Sequence, residues 1–213
     1  SLLKRLIVNA TTAIDKYELD RATRPIADFI DDLSTWYLRR SRDRFKSDDV
    51  KDRTCAIETT RYVLEQFSKI IAPSMPFYAD ELYQKVKACD GKESVHLAEW
   101  PAVSKLSAEE EKVLSDMEEV RKIVSLGLEA RSKSGNKVRQ PLSSLKIKTG
   151  LSDKYFGLIK DEVNVKEVIL DNTIANPIEL DTNITPELKA EGQYRELGRG
   201  IQELRKQENL NPS

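Results

Sequence analysis

The stretch "RPIADFIDDLSTWYLRRSRDRF", Arg24 to Phe45, begins with apolar residues three and four apart and ends in four arginines and a single aspartate. The 213-residue chain carries 35 Lys and Arg against 36 Asp and Glu, a net charge of -1. Bulk charge therefore names no partner, and the local cluster has to be argued by itself. On a regular helix advancing about 100° per residue, Ile26, Phe29, Ile30, Leu33, Trp36 and Tyr37 share one stripe. The next occupants of that stripe are Arg40 and Arg44, while Arg39, Arg42 and Lys46 lie on the other side among Leu38 and Phe45. Arginine is seldom buried without a partner. A regular helix would thus outrun its hydrophobic neighbours after Tyr37 and present a guanidinium-rich tip. It would also leave Leu38 and Phe45 to meet something outside this chain.

Working outward, Leu2, Leu3, Leu6, Ile7, Ala10, Ala13, Ile14 and Tyr17 recur at helical spacing and predict a first helix. The second is expected from about Asp20 to Lys46, with Pro25 in its second turn as a bend or a true start. "SDDV" caps a third helix through Ala56, Ile57, Val63, Leu64, Phe67, Ile70 and Ile71, ending before Pro73. Ser74 is the expected cap of a fourth, with Pro76 early in it. Four amphipathic helices with short connections read as an antiparallel bundle. "DGKESVHLAEWP", Asp90 to Pro101, reads as a loop, and a Ser107–Glu110 capping box opens a fifth helix to about Arg131.

After "SKSGNK" the period changes. "SSLKIKT" alternates like a strand, "SDKYFGLIKDEVN" reads as a short helix capped by Ser152, and "VKEVIL" and "NPIELD" are strand-like. Thr185 and Pro186 open a long final helix. The fold class is therefore mainly α. A helical bundle over residues 1–132 is followed by a small α/β domain over 133–213, with the boundary in the segment 133–140.

Composition supports helices: 33% of residues are charged, and glycine and proline number only 8 each. Cys55 and Cys89 fall in helical patterns and are expected as buried reduced thiols; no CxxC pair supports a zinc or redox site. No apolar run is long enough to span a membrane and no secretory signal is present, so a cytoplasmic location without a membrane partner is expected.

The arginine tip admits two readings. One is a solvated helix end that complements the helix dipole. The other is a phosphate grip, since the planar guanidinium fork suits phosphate oxygens and four on one segment suffice to hold an RNA backbone. Trp36 and Tyr37 are candidates for stacking on bases, but their place on the apolar stripe suits core packing better. Lys133, Lys137 and Arg139 sit in a basic loop that is either a solvated hinge or a second phosphate contact. "GRG" at Gly198 to Gly200 lacks the third glycine and the strand of a dinucleotide site. His96 has no nearby nucleophile in sequence, and the adjacent Asp31 and Asp32 point about 100° apart on a helix.

The order of these segments resembles one family. "RPIADFIDDLSTWYLRRSRDRF" resembles the start of the anticodon-binding helical bundle of isoleucyl-tRNA synthetases, and "SVHLAEWP" the segment closing it. "ARSKSGNKVRQPLSSLKI" resembles the linker into the family's small C-terminal junction domain, whose later part "VKEVIL" and "ELDTNITPELKAEGQYRELGRGIQELRK" match. Leucyl-, valyl- and methionyl-tRNA synthetases have related bundles; the Arg-Arg-Ser-Arg run and "KVRQPL" favour the isoleucine family. With one histidine, and with its two methionines in "PSMPF" and "DMEEV", the chain lacks the family's ATP-serving signatures.

The resemblance thus implies a C-terminal piece that ends at "NLNPS", before any zinc-binding tail, and does no chemistry itself. The implied parent joins isoleucine to tRNA with ATP and magnesium, while the piece needs no cofactor. The implied partners are tRNA-Ile and the parent's own catalytic domain, with the protein a monomer. From the basic segments themselves, the expected backbone contacts are Arg39, Arg40, Arg42 and Arg44, with Lys133, Lys137 and Arg139 as second candidates. Two rivals stay open: an anticodon module of a valyl or leucyl enzyme, and a helical protein-interaction module with a basic tip. A third possibility is that the arginines meet the parent's catalytic domain.

Overall fold

The computed structural model describes residues 1–102, 105–208 and 210; most of the terminal "NLNPS" segment lies outside them. The chain is mainly helical and forms two compact units, Ser1–Lys112 and Val113–Ser213.

In the first unit, α1 (Leu2–Asp15), α2 (Leu19–Asp32), α4 (Val50–Ile71) and α5 (Pro76–Val86) build the bundle, and a one-turn α3 (Arg42–Phe45) precedes α4. The core joins Leu6, Ile7 and Ala10 of α1 to Ile26 and Phe29 of α2, Phe67, Ile70 and Ile71 of α4, and Ala79 and Tyr83 of α5. Phe29 and Phe67 stack with centroids 5.3 Å apart. The predicted loop closes the bundle by polar contacts. Trp100 Nε1 donates to Thr11 Oγ1 at 2.8 Å, and Asp80 accepts from Ser94 Oγ and the Val95 amide, both at 2.8 Å.

Local chemistry explains most boundaries. Asp49 caps α4 by accepting from the Lys51 and Asp52 amides. Ser107 and Glu110 bond reciprocally at 3.0 and 3.2 Å and open α6 (Ala108–Lys133). Two expected caps are not used. Met75, not Ser74, holds the N-cap position of α5, and Ser74 Oγ instead donates to the Ile71 carbonyl. Ser152 makes no capping bond, because Asp153–Tyr155 forms a 3-10 turn before α7 (Phe156–Val163). Cys55 and Cys89 are exposed thiols rather than buried ones, and Cys89 lies beyond the end of α5.

The largest departure lies in the opening stretch. The helix does not run regularly to Lys46: Leu33–Leu38 is π-helical, with the Arg39 amide bonded to the Ser34 carbonyl at 3.1 Å. A π turn holds one extra residue and rotates everything after it. The buried stripe of Ile26 and Phe29 therefore resumes at Ser41, which is 4% exposed, rather than at Arg40. Leu38 and Phe45, three and four residues either side of Ser41, become half-buried. They are therefore not left on the solvent side, which corrects the regular-helix placement. Ile30, counted on the stripe, is exposed.

In the second unit, β1 (Leu142–Ile147) is central, parallel to β2 (Val165–Leu170) and antiparallel to β3 (Ile178–Leu180), in the order β2-β1-β3. The helix α7 makes the β1–β2 crossover. Leu142, Leu145, Ile147, Ile159 and Val163 are fully buried. The helix α8 (Pro186–Gln207) starts with Thr185 as cap and buries Leu188 and Gly192. Most of α6 belongs to this unit, whereas the expected division had placed it with the bundle. Gly127 supplies a reason: a Cβ there would lie 2.9 Å from Val163, so α6 packs directly against the end of α7.

Candidate nucleic-acid interface

The π turn decides how the arginines of the first unit are displayed. Arg39 is exposed, and its Nε donates back to the Thr35 carbonyl at 2.9 Å. Arg40 is half-buried and engaged within the chain. Arg44 forms a bidentate pair with Asp52 on α4, with Nη2–Oδ1 at 2.7 Å and Nε to Oδ1 and Oδ2 at 3.0 and 3.1 Å. The hydrogen bonds from Arg44 hold the Asp52 carboxyl below its ordinary pKa. Arg53 adds a bond to the Ser47 carbonyl at 3.0 Å. These contacts fasten α3 and the following turn to α4.

Arg42 is exposed and, among the described residues, its side chain has no hydrogen-bond or ion-pair partner; the same holds for Lys46. A cation that is bare on a fastened helix is already placed and needs to give up no partner to meet an anion. Arg44 is different, since its fork is filled by a carboxylate. The four arginines thus share one short segment, but in unlike states. Trp36 and Tyr37 are half-buried, and the Tyr37 hydroxyl is buried with no hydrogen-bond partner among the described residues.

The second predicted group, Lys133, Lys137 and Arg139, belongs to the other unit and is described by itself. Lys133 pairs with Glu129 at 2.6 Å one turn back, and its side chain is 75% exposed. Arg139 approaches Glu196 at 3.8 Å. Lys137 is exposed, with no side-chain partner among the described residues. What fixes this loop is a residue the sequence reading had treated only as the end of a helix. Arg131 is fully buried and makes five hydrogen bonds to four carbonyls: Val163 at 2.6 Å, Asn164 at 2.7 Å, Lys137 at 2.9 Å, and Gln140 twice at 2.9 Å. Burial shifts its pKa down.

Asn164, in the left-handed region at φ 54°, donates to the Val138 carbonyl and accepts from Arg195. Gln140 Nε2 donates to the Leu188 carbonyl at 2.7 Å and rests against Gly192, where a Cβ would collide with it. Gly135, at φ 71°, provides the turn that ends α6. The loop is therefore anchored at both ends. A last-turn arginine alone does not signal such a node; only the "VRQP" and "VN" segments around the gathered carbonyls hint at it.

Among the described residues no group of three or more His, Cys, Asp or Glu side chains is placed to hold a metal ion, and no helix is long and apolar enough to cross a membrane.

The family model described as "Anticodon-binding domain of tRNA ligase" matches residues 1–149. Over 97% of this chain, the isoleucine–tRNA ligase of Protochlamydia amoebophila (strain UWE25) is 37% identical, and that of Clostridium tetani (strain Massachusetts / E88) is also 37% identical. The isoleucine–tRNA ligase of Dehalococcoides mccartyi (strain CBDB1) is 34% identical over the same share. The chain spans 20% of the length of the first two relatives and 23% of the third.

Proposed function

Because the chain belongs to the family of anticodon-binding domains of tRNA ligases, we propose that it is the tRNA-holding part of an isoleucine–tRNA ligase. Its role is to grip the anticodon stem and loop of tRNA-Ile. The observation that carries this reading is the bare pair Arg42 and Lys46, at the start and just past the end of a short helix fastened by the Arg44–Asp52 fork, with Arg39 before it. Unpaired cations on a fixed scaffold release phosphate counterions without first breaking a contact, which is the main source of RNA affinity. Phosphate contacts set register, and base edges carry the sequence. Arg39 and Arg42 are the leading contacts and Arg40 a nearer-core support. Arg44 positions α3, and Lys137 is the best-displayed cation of the second loop.

The relatives' names favour isoleucine over valine or leucine as the cognate amino acid. In this reading the chain does no chemistry. The joining of isoleucine to tRNA, with ATP and magnesium, belongs to a catalytic domain in the rest of the ligase, and the protein works as a cytoplasmic monomer. The test is a gel shift of the 213-residue chain against tRNA-Ile and an unrelated tRNA across a salt series. Preferential retardation of tRNA-Ile, with log affinity falling linearly in log salt, supports the assignment. Equal, salt-insensitive binding of both RNAs contradicts it.

A further inference from the structure

Only part of the Arg44 guanidinium is used to fasten α3. The Asp52 carboxylate takes its Nε–Nη2 edge, with Nη2–Oδ1 at 2.7 Å and Nε–Oδ1 at 3.0 Å. An arginine head group carries five N–H donors in a rigid plane. Both Nη1 donors and the second Nη2 donor of Arg44 have no partner among the described residues. Nη1 reaches solvent, and the side chain as a whole is 43% exposed. The Nη1–Nη2 edge is therefore a pair of parallel donors, held in one orientation by a carboxylate on the adjoining edge. Asp52 is itself fixed in the first turn of α4, where its amide donates to Asp49 Oδ1 at 3.3 Å.

Charge decides what that edge suits. Arg44 and Asp52 offset each other, whereas Arg42 and Lys46 are bare cations and meet phosphate oxygens at lower cost. On α3, Arg44 is turned about 200° from Arg42, to the side of α4. A neutral pair that offers two parallel donors suits a neutral group with two adjacent acceptors. Among the bases only guanine has such an edge, O6 beside N7. Adenine sets an amino donor beside its N7, and the pyrimidines offer no second acceptor there. The major groove of an RNA duplex is too deep and narrow for a side chain to reach this edge, so the guanine must be unpaired.

We propose that Arg44 reads the O6–N7 edge of an unpaired guanine in the bound RNA, and that Asp52 is the positioning residue that aims it. This rests on the reading above that the unit grips an RNA loop. It divides the basic segment by task. Arg42 and Lys46 set affinity and register through phosphates, and Arg44 sets sequence preference. The carboxylate that fastens α3 is also what keeps the reading edge in place.

The test uses a hairpin with the anticodon stem and loop of tRNA-Ile, in which each unpaired guanine in turn is replaced by 7-deazaguanine. That base keeps its pairing edge but lacks the N7 acceptor. Binding to the unsubstituted 213-residue chain should weaken about tenfold at one guanine position and stay unchanged at the others. Arg44→Lys keeps the charge without the two-edged fork, so the modified and unmodified hairpins should bind it within about twofold of each other. Asp52→Asn should shrink the preference without reducing the salt slope, because the charge of Arg44 remains. Both variants are compared below their measured unfolding midpoints, and the arm with the unsubstituted chain depends on no variant's folding. The proposal is overturned if no 7-deazaguanine position matters to the unsubstituted chain, or if Arg44→Lys keeps the preference. It is also overturned if Asp52→Asn tightens binding to every hairpin alike with the preference intact, since the carboxylate would then only compete with phosphate. Salt-dependent binding without a guanine preference removes this proposal alone; no binding of any hairpin removes the functional reading with it.

Discussion

The arginines at the α3 tip and the arginine at the end of α6 use the same functional group in opposite ways. Arg42 stands at the surface and, among the described residues, has no side-chain partner. Arg131 is fully buried and draws four backbone carbonyls together. Arg44 lies between these extremes, half-exposed and clasped to one carboxylate. Surroundings decide the outcome. Where the neighbours are the carbonyls of a helix end and a loop, the five-donor fork becomes a staple. Where the neighbour is water, it remains available to a phosphate.

Breaking the staple should have the largest effect. Arg131→Met removes five charge-assisted bonds and leaves buried carbonyls unsatisfied, so unfolding of the second unit should be easier by about 3–5 kcal/mol. Arg131→Lys, which keeps the charge but cannot span four carbonyls, should recover only part of this. Denaturant unfolding measures both. Gly192→Ala comes next. The new methyl meets a Gln140 side chain that is tied to the Leu188 carbonyl, at a cost of about 1–3 kcal/mol. Gln140→Ala in the same background should relieve most of that cost.

The clasp at Arg44 should show a smaller, pH-dependent effect. The Asp52 pKa is lower in the folded chain than in the unfolded one, mainly through the Arg44 hydrogen bonds. The unfolded state therefore binds the proton more readily. The stabilisation is present above the unfolded aspartate pKa and is lost as pH falls toward the folded value. Asp52→Asn should lower stability modestly near neutrality, with the difference from the unsubstituted chain shrinking to nothing as pH falls, so that the acid limb is flatter. Arg42→Ala should leave the unfolding midpoint unchanged, because the side chain touches nothing that the fold needs.

The helices were legible because their signals are local. The Ser107–Glu110 box, Thr185 followed by Pro186, and the spacing of Leu3, Leu6, Ile7 and Ala10 act within one or two turns. The state of each arginine was not legible in the same way. The π turn after Asp32 adds one residue and moves the buried position from Arg40 to Ser41, which an even 100° advance does not show. The one available clue was that Leu38 and Phe45 sit out of phase with Ile26 and Phe29 while keeping helical spacing about Ser41. The Arg44–Asp52 clasp spans eight residues across a turn, and the Arg131 node reaches 33 residues to Asn164. Both are tertiary facts that no local period carries. The exposed thiols of Cys55 and Cys89 went against the usual burial of cysteine for the same reason.

The most direct test of the central claim, that a fastened helix displays bare cations to RNA, is the salt dependence of tRNA-Ile binding by the 213-residue chain and its Arg42→Ala variant. The account expects the variant to bind more weakly, with a log–log salt slope smaller by about 1 and an unchanged unfolding midpoint. An affinity and slope equal to those of the unsubstituted chain would contradict it.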